Sequence, residues 1–272
     1  MSQSNEPLCI AARCTLSQAD FDRFAALSGD HNPIHVDPDF AATTPFGATV
    51  SHGMLLFSLL RGLIAQHYPG MTMARQDLMF PAPSYAQEAL TLVLQEEGNT
   101  AQGLALRTEV HKQDGRLGLR GRCVLGPAPA QAEGVIARPV HPQGATVAPG
   151  LTRFLALAPG DTASLDRVFT MADVSAWAML AGQPEPSDDI PEPLIAALFS
   201  CLLGEDLPGH GTNYLKQSML FLQPARIGEV LSASVTITGL RADKALVDLH
   251  TRCTGEGGRV LCTGNALVLF RQ

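Results

Sequence analysis

Asp30, His31, Asn32, His35 and Asp37 fall within eight positions of one another. Unpaired in a core, such groups would each cost several kcal/mol, so the cluster is either a solvated loop or a site. Asp30 and His35 are five residues apart, with Pro33 between them. A carboxylate and an imidazole so placed can converge on one water molecule. Histidine suits the proton transfer because its unperturbed pKa, about 6.5, lies near neutral pH. The spacing leaves the acid and base roles undivided between the two, and Asn32 reads as hydrogen-bonding support.

A third chemical group follows at Ser51-His52-Gly53, where a strongly apolar helix begins. At a helix start the Gly53 N–H has no carbonyl one turn back, and it lies at the positive end of the dipole. It can donate to a substrate oxygen that gains charge, and glycine allows close approach. The bland readings are an Asx turn at Asp30-x-Asn32-Pro33 and a structural hydrogen bond from His52. His31 and His35 have the spacing of two helical metal ligands. Pro33 between them argues against one helix carrying both, so no metal is expected. Ser51 and Ser58 have no paired base nearby and are not read as nucleophiles. Ser51, His52 and Met54 are candidates to support or contact a substrate. Phe40 and Phe46 are further candidates for an acyl pocket, and Phe57 is read as core.

These groups must be held by the elements around them. A short strand over residues 8–16 leads into a helix with Ser17 as N-cap, Asp20 at N3, and Leu16 and Phe21 as a hydrophobic staple. The same syntax returns 153 residues later at Thr170, Asp173, Phe169 and Val174. The apolar helix from His52 to Pro69-Gly70 has a counterpart from about Pro193 to Pro208-Gly209. Period-two strands follow in both halves, among them Leu104–His111 and Leu231–Thr238, and Phe80-x-x-Pro83 matches Phe221-x-x-Pro224. A tandem duplication follows, each copy an antiparallel sheet curled around a buried helix, with the open faces covering each other. The offset falls from 153 at the first helices to 139 at the Pro-Gly ends, so the second copy is 14 residues shorter there. The missing stretch is the connector that holds the polar cluster. The expected organisation is residues 1–126 as the copy with the site, 127–150 as a Pro/Gly/Ala linker, and 151–272 as a degenerate copy.

The formal net charge of −7, with no long basic run, argues against nucleic acid or an anionic membrane as partner. No apolar run reaches the ~18 residues of a membrane helix, and the first residues do not read as a secretory leader. The six cysteines form no CxxC pair, which suggests reduced, buried thiols in a cytoplasmic protein.

Asp30-His31-Asn32-Pro33-Ile34-His35 resembles the D-x-N-P-x-H element of the MaoC-like, R-specific enoyl-CoA hydratases. The resemblance continues through Ala41-Ala42-Thr43-Thr44 to His52-Gly53-Met54, and into Tyr214-Leu215-x-Gln217-Ser218 and Leu240-Arg-x-Asp-Lys244. It implies an α+β tandem (double) hot-dog fold. It implies Asp30 and His35 as the catalytic pair, Gly53 N–H as oxyanion donor and Asn32 as support. It implies no cofactor, an acyl-CoA or acyl-carrier-protein thioester as substrate, and allows a homodimer of double hot-dogs. The reaction implied is reversible addition of water to a trans-2-enoyl thioester, a hydro-lyase activity. A hot-dog acyl thioesterase and a non-catalytic acyl-thioester-binding protein are the alternatives. The intact motif lies in the N-terminal copy, whereas the eukaryotic two-repeat hydratases carry it in the second.

Overall fold

The computed structural model describes residues 8–128, 152–183 and 188–271. From Pro129 on, the expected linker lies outside the described residues, as do 184–187 of the second connector.

Strand β1 (Cys9–Thr15) runs into helix α1 (Gln18–Ser28) through the expected capping box. Ser17 Oγ accepts from the Asp20 N–H, and the Asp20 carboxylate accepts from the Ser17 N–H. Gly29 ends the helix in the left-handed region, φ 79°. Two short helices fill the connector, α2 (Pro33–Val36) and α3 (Pro38–Ala42). The segment is therefore less irregular than its composition suggests. Asn32-Pro33 and Asp37-Pro38 are each a cap followed by proline at the first helical position, where a missing N–H costs nothing.

Helix α4 (Gly53–His67) is buried nearly all round. Strands β2 (Met73–Met79), β3 (Ala89–Thr100), β4 (Gly103–Lys112) and β5 (Leu117–Leu125) curl over it. The second half repeats the order. Strand β6 (Thr162–Val168) precedes α5 (Met171–Ala181), with the capping box Thr170/Asp173 and left-handed Gly182. A short pair of strands, β7 (Asp189–Ile190) and β9 (Ala225–Arg226), flanks this half. Helix α6 (Glu192–Cys201) is its buried helix. Strands β8 (Thr212–Phe221), β10 (Val230–Arg241), β11 (Leu246–Thr254) and β12 (Val260–Phe270) complete it. Gly29 and Gly53 are 24 positions apart but Gly182 and Glu192 only 10, so the second half is 14 residues shorter across the stretch that carries α2 and α3 in the first.

All ten long strands form one antiparallel sheet in the order β1-β3-β4-β5-β2-β8-β12-β11-β10-β6, palindromic about the β2–β8 seam. Asp77 faces Ser218 at its centre. On either side stands the same buried cluster. Gln76 Nε2 donates to the Asp77 carbonyl and Thr108 Oγ1, and Gln217 Nε2 to the Ser218 carbonyl and Thr251 Oγ1. Gly121 and Gly264 leave the room, since a Cβ at either would press on the Asp77 or Ser218 carbonyl. The halves also meet through their helices. Trp177 Nε1 on α5 donates to Ser58 Oγ on α4 at 3.0 Å, and Arg61 on α4 pairs with Glu192 on α6 at 2.7 Å.

The cysteines depart in part from expectation. Cys123, Cys201, Cys253 and Cys262 are buried free thiols, but Cys9 is exposed and Cys14 half-buried, because β1 is an edge strand. Among the described residues no helix is long and apolar enough to cross a membrane.

Candidate active site

The connector, the start of α4 and the end of α6 enclose a cavity of about 160 Å³. Asp30 lies in the loop after Gly29 and is 1% exposed. Its buried oxygens are supplied with donors. Ser200 Oγ, from α6 of the other half, donates to Oδ2 at 2.9 Å, and the Asn32 N–H approaches Oδ1 at 3.4 Å. Asn32 caps α2 with its Oδ1 and donates through Nδ2 to the Gly204 carbonyl at 3.1 Å. The motif residue thus ties the connector to the second half.

His35 sits on α2, 9% exposed. Its Nδ1 lies 2.7 Å from the Val50 carbonyl. A carbonyl only accepts, so Nδ1 carries the proton and neutral His35 presents a bare Nε2. Val50 is itself fixed, by its N–H to the Ile34 carbonyl and a bridge to Tyr85. Gln18 at the start of α1 adds a brace: its Nε2 donates to the His35 carbonyl, and its Oε1 accepts from Thr49 Oγ1.

His52 lies behind His35 rather than in the cavity wall. The rings stack with centroids 3.8 Å apart and planes at 28°. Its Nε2–H donates to the Asp30 carbonyl at 2.9 Å, and its buried Nδ1 has no partner. Burial, reinforced by the neighbouring His35, depresses its pKa to about 3, so the ring is neutral. One ligand atom each from Asp30, His35 and His52 lies within 4.8 Å of the others. The near-parallel stack does not suit a metal: imidazole lone pairs lie in the ring planes, so two stacked rings do not aim at one ion. His31 is exposed and precedes the α2 cap, so it shares no helix face with His35.

Gly53 is the first residue of α4 and lines the cavity with its N–H unbonded within the helix. Its lack of a side chain has a local cause that the sequence does not reveal. A Cβ there would come within 2.6 Å of Phe80 Cε1. Ser51 lines the cavity beside it, donating through Oγ to the His52 carbonyl. Met54 does not line the cavity: it is fully buried in the core, as is Phe57. Phe46 lines the cavity, whereas Phe40 points to solvent.

The second half adds residues that reading the motif did not single out: Ser200, Leu203, Gly204, Thr212 and Asn213, besides Tyr214 and Leu215. Tyr214 is a buried phenol whose pKa burial pushes well up, so it stays protonated and donates to Gln217 Oε1. A serine in the apolar run from Leu194 to Cys201 was the available signal for Ser200. Its equivalent at the helix offset of 139 is Arg61, so the two helices differ at the position that faces the site.

A model of the MaoC like domain matches residues 2–114. The (R)-specific enoyl-CoA hydratase of Aeromonas caviae is 37% identical over 123 residues, which is 40% of this chain and 92% of that one. A solved MaoC-like dehydratase superposes with a TM-score of 0.74 at 12% identity, covering 98% of this chain and 99% of that one. A conserved hypothetical protein from Mycobacterium tuberculosis, described as having a double hotdog fold, superposes at 0.70 and 13% identity, covering 97% and 96%. The chain belongs to the MaoC-like family and has the α+β double hot-dog fold.

Proposed function

We propose that this chain is an R-specific enoyl-CoA hydratase, acting in reverse as a 3-hydroxyacyl thioester dehydratase. The observation that carries the reading is the convergence of Asp30, the bare Nε2 of His35 and the Gly53 N–H on one cavity. A trans-2-enoyl thioester binds with its carbonyl oxygen at the Gly53 N–H. Electron density drawn to that oxygen leaves Cβ open to attack. His35 Nε2 takes a proton from a water held between it and Asp30, and the hydroxyl adds to Cβ. The resulting enolate is held by the Gly53 donor, a contact worth roughly 3 kcal/mol in comparable sites. Cα then takes a proton back from the Asp30–His35 pair, so the water's two fragments end on Cβ and Cα. Ser200 and Asn32 donate to the Asp30 side-chain oxygens and keep them aimed.

On this reading residues 1–126 are the active copy, 127–150 the linker and 151–272 a degenerate copy. The degenerate copy completes the site rather than merely covering the sheet, since Ser200, Gly204 and Tyr214 come from it. The substrate is an acyl thioester of coenzyme A or of a carrier protein. No cofactor or metal takes part in the steps above.

The test is loss of enoyl absorbance with crotonyl-CoA. Asp30→Asn and His35→Ala are each expected to lower kcat by at least about a hundredfold, the scale of a lost general acid–base group, with the thermal unfolding curve retained. Wild-type turnover in both variants, or release of free thiol in place of hydration, sinks the assignment.

A further inference from the structure

Five hydroxyl groups line the Asp30–His35 cavity, and three of them are spent. Ser51 Oγ donates to the His52 carbonyl, Ser200 Oγ to Asp30 Oδ2, and the Tyr214 hydroxyl to Gln217 Oε1. The other two, Ser84 Oγ and Thr212 Oγ1, are buried with no hydrogen-bond partner among the described residues. They stand on the two runs of chain that leave the seam. Strands β2 and β8 stay paired as far as Met79 and Lys216, and the Phe80 N–H still donates to the Leu215 carbonyl at 3.0 Å. Beyond that point, residues 80–84 and 212–215 both form cavity wall. A buried hydroxyl without a partner has lost its water and gained nothing in exchange, and folded chains carry few of them.

The other half shows that the fold does not require them. At the offset of 141 that matches Phe80 with Phe221 and Pro83 with Pro224, Ser84 corresponds to Ala225 and Thr212 to Met71. The strand irregularities keep the same offset: they fall between Met73 and Arg75 of β2 and between Tyr214 and Lys216 of β8. Ala225 and Met71 line the equivalent cleft, where Arg61 and Glu192 stand in place of Ser200 and Gly53. Space is also set aside for Ser84. A Cβ at Gly118 would collide with its Oγ. The counterpart of Gly118, at the offset of 143 between the closing strands, is the buried Leu261. An apolar Ala/Leu pair in one half is thus a Ser/Gly pair in the half with the acid–base residues. The same Cβ position lies 3.8 Å from Leu56 Cδ1, and Leu56 follows Gly53 by about one helical turn. This places the Ser84 hydroxyl toward Leu56, inward along α4 from the Gly53 N–H.

We infer that Ser84 and Thr212 are specificity-determining residues, which select a short enoyl chain bearing an uncharged oxygen, a hydroxyl or a carbonyl, over a hydrocarbon chain of the same size. The assignment rests on the thioester reading above. With the thioester carbonyl at Gly53, the carrier arm leads out to solvent and the buried wall is left to the acyl chain. A hydrocarbon chain expels water from a cavity of about 160 Å³ and leaves both hydroxyls unpaired. A chain oxygen at either one restores the bond, since a hydroxyl both donates and accepts. Serine turns about one bond among three staggered positions, so Oγ meets such an oxygen without backbone movement. A site built to bond a substrate oxygen rejects the analogue without it far more strongly than it senses one methylene of size. Among the described residues no lysine or arginine lines the cavity, so nothing there balances a charged substituent.

The experiment measures kcat/KM on two pairs of trans thioesters matched in size: 4-hydroxybut-2-enoyl-CoA with pent-2-enoyl-CoA, and 5-hydroxypent-2-enoyl-CoA with hex-2-enoyl-CoA. In at least one pair the wild type is expected to favour the hydroxylated chain by about tenfold or more, the scale of one buried hydroxyl left unpaired. Ser84→Ala/Thr212→Val is expected to bring that ratio to about one, and the single variants show which hydroxyl carries it. A purely structural role would slow both members of a pair alike and leave the ratio where it was. The double variant keeps its thermal unfolding curve, since the hydroxyls it loses hold nothing in the unliganded chain. A wild type with no preference for the hydroxylated chain in either pair overturns the inference, as does a preference that survives in the double variant. Absence of wild-type turnover on all four, and on crotonyl-CoA, would instead refute the hydratase reading. Calorimetric titration with the same four thioesters then decides: tighter binding of a hydroxylated chain, lost in the double variant, upholds the inference, and equal binding removes it.

Discussion

At the residue scale, the site depends on one ring being kept neutral behind another. His52 stacks on His35 and spends its single N–H on the Asp30 carbonyl, so it fixes both members of the pair without facing the cavity. This has a stability cost in acid. The His52 pKa is about 3 in the folded chain, against about 6.5 unfolded. Below pH 6.5 the unfolded chain binds a proton that the folded chain refuses, so stability falls as pH drops and the loss levels off near pH 3. At pH 5 this group alone accounts for about 2 kcal/mol relative to pH 7. His52→Gln keeps an N–H for the Asp30 carbonyl and has nothing to titrate. Urea unfolding at pH 7 and pH 5 is expected to show a smaller acid loss in that variant, by about that amount, and equal losses would contradict the account. The motif residues were legible because their types are wrong for a core. The stacking was not, since no spacing rule brings positions 35 and 52 ring to ring.

At the element scale, the caps and the buried helices were the most readable features. Ser17/Asp20 and Thr170/Asp173 form capping boxes at equivalent starts, and the first copy's extra 14 residues fall where the offsets placed them. Helices α2 and α3 were missed although Asn32-Pro33 and Asp37-Pro38 announce them, because a single turn leaves no periodicity to detect. Their position is set from outside: Gln18 at the first turn of α1 holds the His35 carbonyl and the Thr49 hydroxyl. Gln18→Leu removes both contacts and leaves the α1 cap intact. It is expected to lower kcat/KM for crotonyl-CoA by up to about tenfold, the worth of one or two neutral hydrogen bonds. The melting temperature should shift by only a few degrees. A steady-state assay beside a thermal melt checks this, and an unchanged kcat/KM would show that α2 holds its place without the brace.

For the whole molecule, the two buried helices answer each other across the pseudo-symmetry with different chemistry. Arg61 and Glu192 pair across α4 and α6, each side chain only 16–17% exposed. Burial alone would lower the Arg61 pKa, but Glu192 outweighs it and holds the guanidinium charged. Arg61→Met leaves a carboxylate without its cation and is expected to cost about 3 kcal/mol, the low end for breaking a buried pair because some solvent remains. Arg61→Met/Glu192→Leu should recover most of that. Both are read by urea unfolding, and a double variant no more stable than the single one would rule out an uncompensated charge as the cause. The duplication was legible from the sequence, whereas the contribution of Ser200 to the Asp30 site was not, because it needs the register of two helices from different halves. The palindromic seam has a further consequence. In an assembly of two identical chains, one codon sets the residue at this position in both clefts. Here residues 61 and 200 are set separately, so one can serve as a carboxylate's donor while the other becomes a structural ion pair. The groups that meet at Asp30 also travel on one polypeptide, so dilution does not take them apart.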